Sequence, residues 1–152
     1  MPKIDTSKLE ARSATNYPDV FKHIVEGRLK TALGNAVGLT QFGVNLTRMK
    51  PGAASSIRHW HENEDEFVYI LEGELVLVDD RGETIMRPGD CAGFKAAVPN
   101  GHHLINKSNR DALYLEVGTR APSERAHYPD HDLKFERDET SVRILHKDGT
   151  PY

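Results

Sequence analysis

The sequence predicts a single all-β domain wound as an antiparallel barrel or sandwich. Two observations carry this: from Leu39 onward, short alternating segments rich in Val, Ile, Leu, Tyr and Phe recur at close spacing, and turn-forming clusters separate them. A third is length, since 152 residues suffice for one buried core and leave no room for a second.

The predicted strands are 39–50, 57–61, 66–78, 84–86, 91–94, 103–106 and 113–117. Pro51-Gly52, Glu72-Gly73, Asp79-Asp80-Arg81-Gly82, Pro88-Gly89-Asp90, Pro99-Asn100-Gly101 and Ser108-Asn109-Arg110-Asp111 punctuate them as turns. Before the barrel, residues 1–35 read as an N-terminal extension, in which Pro18-Asp19 followed by Val20, Phe21, Ile24 and Val25 opens a short helix. The barrel itself is placed at 36–120. Residues 121–152 turn polar and regain alternation at 133–135 and 142–145, as expected of a C-terminal segment packing on the barrel.

Composition excludes several classes. A net charge of −3 with interspersed signs gives no basic surface for nucleic acid. No apolar run approaches the about 18 residues that cross a bilayer as a helix, so neither membrane nor nucleic acid is an expected partner. The single cysteine, Cys91, permits no intrachain disulfide and is expected as a small buried hydrophobe. Together with an N-terminus that lacks an apolar signal stretch, this places the protein in the cytoplasm.

The eight histidines are the unusual feature. His59-Trp60-His61 puts two imidazoles on one face of a strand, about 6–7 Å apart along the chain, with Trp60 on the other face. The polar stretch Glu62-Asn63-Glu64-Asp65 lets the chain reverse and bring Glu66 beside them, with Val68 and Ile70 following on the same face. Imidazole and carboxylate together suit a divalent transition metal: Mn, Fe, Ni, Co, Cu or Zn.

Gly52-x6-His59-x-His61-x4-Glu66-x6-Gly73 resembles the first signature of the cupin superfamily, with one residue of difference in the first spacer. The second signature, Gly-x5-Pro-x-Gly-x2-His-x3-Asn, is matched less closely. From Gly89 it finds Lys95 where proline is usual, Ala97 where glycine is expected, and His102-x3-Asn106 at its end. An alternative alignment uses Gly93, Pro99 and Gly101 and makes His103 the candidate instead of His102. The resemblance covers roughly residues 40–118.

The resemblance implies a double-stranded β-helix, the jelly-roll barrel, with one divalent metal held by His59, His61, Glu66 and either His102 or His103. It implies a small oxygen-rich ligand and an activity of the sugar-phosphate isomerase, epimerase or lyase type, placed ahead of an Fe-dependent dioxygenase or a non-catalytic binding module. Possible bases are Glu116, Tyr114, His103 and His127. Lys95 and Arg48 are candidates to meet an anionic ligand. A homodimer is expected, formed by adding the 39–46 strand to a neighbour's sheet edge.

Overall fold

The computed structural model describes residues 3–152 and contains twelve strands. They are β1 (Arg28–Ala32), β2 (Phe42–Met49), β3 (Trp60–His61), β4 (Glu66–Glu72), β5 (Leu75–Asp79), β6 (Gly82–Met86), β7 (Cys91–Phe94), β8 (His103–Ile105), β9 (Ala112–Thr119), β10 (Glu124–His127), β11 (Lys134–Arg137) and β12 (Val142–Leu145). The helical content among the described residues is three short 3₁₀ segments; the one at Asp19–Val25 is the helix expected after Pro18.

One layer is a five-stranded antiparallel sheet in the order β1-β2-β9-β4-β7. A three-stranded sheet, β6-β5-β8, and a four-stranded sheet, β12-β11-β10-β3, lie beside each other, because the bridges Ala54–Ile105 and His59–His102 join the chain entering β3 to β8 and its flank. This is the antiparallel barrel expected from the strand pattern, in the jelly-roll form that the resemblance implies. The apolar run 66–78 is not one strand but two, since Gly73 turns the chain with φ +75° and its α-hydrogen faces the Asp111 carbonyl.

Alternation sorts the sheet faces. Val68 and Ile70 on β4, Tyr114 and Ala112 on β9, and Met49 on β2 point inward and meet Leu75, Met86 and Leu104 from the opposite layer. A second cluster, Ile57, Ala126, Tyr128 and Leu133, receives Tyr17, Phe21 and Ile24, so the N- and C-terminal segments share one apolar seam on the barrel.

Asn106, fully buried, shows why a polar side chain ends the second motif. Its amide donates to the carbonyls of Met49 (2.8 Å) and Arg110 (2.7 Å), and its Oδ1 accepts from Ser108, so the β8–β9 turn is tied to the end of β2 with each polar atom engaged.

Three expectations are corrected. The strand after Leu39 is no edge: β2 lies between β1 and β9, so its backbone groups are already paired on both sides. Cys91 is exposed, because it stands opposite Tyr69 on the outer face of the β4–β7 pair. Two strands, β1 and β10, were not expected. Their inward positions carry Arg28 and Lys30, and Glu124 with Ala126, so neither shows the apolar alternation that marks a half-buried strand.

Candidate metal centre

His59 and His61 point inward from the start of β3, and Glu66 points inward from the first position of β4, after the reversal at 62–65. Their ligand atoms lie within 4.8 Å of one another. The two Nε2 atoms are 3.0 Å apart, and Glu66 Oε1 is 3.3 Å from His61 Nε2. His102 joins from the segment beside His59, to which its backbone is bridged, and faces Glu66 on the five-stranded sheet, with Nε2 2.5 Å from Glu66 Oε2.

Hydrogen bonds at the far side of two rings define which nitrogen is free. His59 Nδ1 donates to the Ile57 carbonyl (2.8 Å) and His102 Nδ1 to the Asn100 carbonyl (3.0 Å), so each ring turns its Nε2 toward Glu66. His102 is further held by stacking on Phe94, with centroids 3.6 Å apart and planes within 2°. The alternative histidine, His103, directs Nδ1 to the Ser56 carbonyl (2.9 Å), and burial lowers its pKa. It lines the same cavity but has no contact with Glu66 of the kind His102 makes.

Electrostatics favour an ionised carboxylate at the centre. Burial alone pushes the Glu66 carboxyl up, but the surrounding imidazoles of His102, His59 and His61 outweigh it and hold it well below its usual range. For His61 burial works downward, and Glu66, Glu124 and Glu64 together turn the balance so that its pKa is raised.

Glu124, absent from the sequence expectations, stands behind this group. Its fully buried carboxylate accepts from the backbone N–H groups of Glu62 (2.9 Å) and Asn63 (3.0 Å), at the start of the reversal that delivers Glu66. Its Oε1 is 3.4 Å from His61 Nδ1, a buried nitrogen with no hydrogen-bond partner.

Three imidazole nitrogens and a carboxylate, converging with their lone pairs inward, fit a divalent transition ion. Such ions bind nitrogen at about 2.0–2.1 Å, which sets neighbouring ligands roughly 3 Å apart, as the His59 and His61 nitrogens are.

The quartet lies in the wall of a cavity of about 550 Å³ between the two layers, large enough for a small organic molecule. Apolar walls come from Val68, Phe94, Leu104 and Leu133. On the inner face of the five-stranded sheet, Glu116 accepts from Lys30 (2.6 Å), Asn45 (2.9 Å) and the Tyr114 hydroxyl (3.0 Å).

The two basic residues expected to meet a ligand are elsewhere. Arg48 alternates with the inward Thr47 and Met49, so it faces outward, where it pairs with Asp111 at 3.7 Å. Lys95 follows the inward Phe94 and is exposed outside the cavity wall. The cations that do line the cavity are Arg28 and Lys30, from the unexpected strand β1, together with Arg120 and Arg137. Trp60 points away from the quartet, as its place between two histidines requires, and stacks on His127 at 4.3 Å. His127 in turn bonds Glu62 and lies outside the cavity.

A jelly-roll barrel with three histidines and a glutamate at the inner end of its strands belongs to the cupins, and comparison with known proteins agrees. Residues 45–118 match the cupin domain family. The chain is 48% identical to a cupin-superfamily sugar phosphate isomerase from Silicibacter pomeroyi, whose crystal structure it matches with a TM-score of 0.96 over 99% of this chain and 96% of that one. A candidate sugar phosphate isomerase from Acidithiobacillus ferrooxidans is 26% identical, with a TM-score of 0.80 over 95% and 88% of the two chains. Polyketide synthase CurC from Streptomyces cyaneus is 34% identical over 98 residues, 63% of this chain and 62% of that protein, so less than two thirds of its length is matched. The chain is a member of the cupin superfamily.

Proposed function

We propose that this cupin is a metal-dependent enzyme that isomerises a small sugar phosphate. The observation that carries the reading is the convergence of His59, His61, Glu66 and His102 in the wall of a ligand-sized cavity, and the similarity to the Silicibacter pomeroyi isomerase supports it. In this reading these four side chains hold one divalent transition ion, of the group Mn, Fe, Ni, Co, Cu and Zn. Bound there, the ion supplies Lewis-acid polarisation of adjacent substrate oxygens.

The chain's own residues do the rest. Aldose–ketose interconversion moves a proton between neighbouring carbons, which requires a base in the cavity. We assign this role to Glu116, the carboxylate that Lys30, Asn45 and Tyr114 hold in place on the inner face. Phe94, Val68 and Leu133 limit water around the reacting group.

The protein is proposed to act as a cytoplasmic homodimer. No helix among the described residues is long and apolar enough to cross a membrane. With β2 paired on both sides, the surface suited to a second copy is the outer face of the five-stranded sheet, where Phe67, Tyr69 and Leu71 of β4 stand exposed in alternation.

The test is an NMR assay of aldose and ketose phosphates in D₂O with protein loaded in turn with Mn, Fe, Ni and Zn. Interconversion with deuterium entering the carbon skeleton is expected, reduced by about 10²-fold or more in Glu116→Gln at unchanged metal content. Metal-loaded protein that turns over no such phosphate would overturn the reading.

A further inference from the structure

Arg28 is a buried cation that forms no ion pair with a carboxylate among the described residues. Its residue exposure is 6%, yet no carboxylate lies within 4.0 Å of it among the described residues. The guanidinium donates to the Ser55 carbonyl at 2.6 Å, while its Nε has no partner. Tyr17 and Tyr114 lie within electrostatic reach, but burial pushes both phenols up, so they stay neutral and supply no counter-charge.

The other inward cations differ. Lys30, two residues along on the same face of β1, is paired with Glu116 at 2.6 Å. Arg137 is paired with Glu64, and Arg120 is exposed and donates to the Leu39 carbonyl and the Asn35 side chain. Burying an uncompensated charge is costly, and a guanidinium does not relieve the cost by losing its proton. What distinguishes Arg28 among the cations in the wall of the cavity that also holds the His59, His61, Glu66 and His102 quartet is that it is buried without a carboxylate partner among the described residues.

We propose that Arg28 is the anion subsite of this cavity, completed when the phosphate or carboxylate oxyanion of a substrate enters beside it. The inference rests on reading the cavity as a substrate site, and it assigns the anion recognition to the N-terminal strand rather than to the loop after β7. A planar guanidinium with donors to spare is suited to an oxyanion, which it can engage through charge-assisted hydrogen bonds. It would thus select substrates carrying an anionic group at a distance from the oxygens that face the quartet.

Calorimetric titration with inorganic phosphate, and in parallel with acetate, tests this on metal-loaded parent protein and on Arg28→Met, which keeps an unbranched apolar stem and removes the charge. An affinity at least about tenfold weaker in the variant is expected for whichever anion binds. Binding of phosphate alone assigns the subsite to phosphate esters, and binding of acetate alone assigns it to carboxylates. Equal affinity in parent and variant, or no binding of either anion to the parent, would overturn the proposal.

Should the methionine variant not fold, Arg28→Lys is titrated instead. Weaker binding than the parent supports the subsite, and parental affinity contradicts it. Elemental analysis of the same samples separates the two readings. Arg28-dependent anion binding by protein that takes up no metal defeats the metal enzyme and leaves the subsite. Isomerase activity with anion binding indifferent to Arg28 does the reverse.

Discussion

Glu124 Oε1 stands 3.4 Å from His61 Nδ1, on the side of the imidazole away from Glu66. A carboxylate behind a metal-directed histidine orients the ring and raises its basicity, and loss of such a partner typically lowers metal affinity by about 10–100-fold. Glu124→Gln should therefore weaken metal binding by that order while preserving fold, measured by competition with a chelator. Glu124→Ala should in addition leave the N–H groups of Glu62 and Asn63 without their acceptor. It should cost about 1–3 kcal/mol in urea denaturation.

The two glycines that bound the first motif should respond differently to alanine. Gly73 has φ +75°, and a Cβ there would lie 2.6 Å from the Asp111 carbonyl oxygen and 2.8 Å from Ala112 Cα, both backbone atoms of the strand behind it. Gly52 has φ +84° with open space around it. Gly52→Ala should cost only the left-handed backbone, about 1–2 kcal/mol, whereas Gly73→Ala should cost more by displacing β9. Equal urea midpoints for the two variants would count against this packing.

Arg58 ties the entry to β3 to two distant loops: Nε and Nη2 donate to Asp130 (2.7 and 2.9 Å), and Nη1 to Asp80 (2.5 Å) and the Gly101 carbonyl (3.1 Å). The hydrogen bonds from Arg58 lower the Asp130 carboxyl pKa from 3.8. Folding therefore gains from this pair above the unfolded value, and the gain is lost as pH falls through the lower folded value. The Asp130 side chain is half exposed, so screening confines the effect to roughly 0.2–1 kcal/mol. Asp130→Asn should be destabilised by that amount at neutral pH, with the difference from the parent closing progressively below pH 3.8.

Lys95→Ala and Arg48→Ala should leave anion affinity within about twofold of the parent, because neither side chain lines the cavity and surface charges act weakly on a buried site. The same phosphate titration used for Arg28 checks it, and a large loss in either variant would mean the ligand enters by another face.

The barrel and most of the side chains that converge at the candidate metal centre were legible because both rest on period-two geometry. His59, His61 and Glu66 are close in sequence, sit at strand spacing, and are separated by a polar reversal, so their convergence follows from local structure. Spacing favours His102 and keeps His103 as its alternative; contact with Glu66 depends on which of the two bridges back to His59, a long-range pairing. Arg28 and Glu124 escaped for a different reason. They are inward-facing charges on strands whose inner positions line a cavity or a buried polar group, so the apolar signal that marks a strand is missing where they stand. Lys95 and Arg48 lie outside the cavity lining because adjacency to an inward residue of a strand places a side chain on the opposite face.

The central claim is that His59, His61, Glu66 and His102 hold one divalent ion, and elemental analysis of protein prepared without a histidine tag tests it most directly. About one equivalent of a transition metal in the parent, lost in the His59→Ala/His61→Ala variant and reduced in His102→Ala but retained in His103→Ala, is the expected result. A parent that carries no metal and takes up none from Mn, Fe, Ni or Zn salts, or a double variant that keeps a full equivalent, would contradict it.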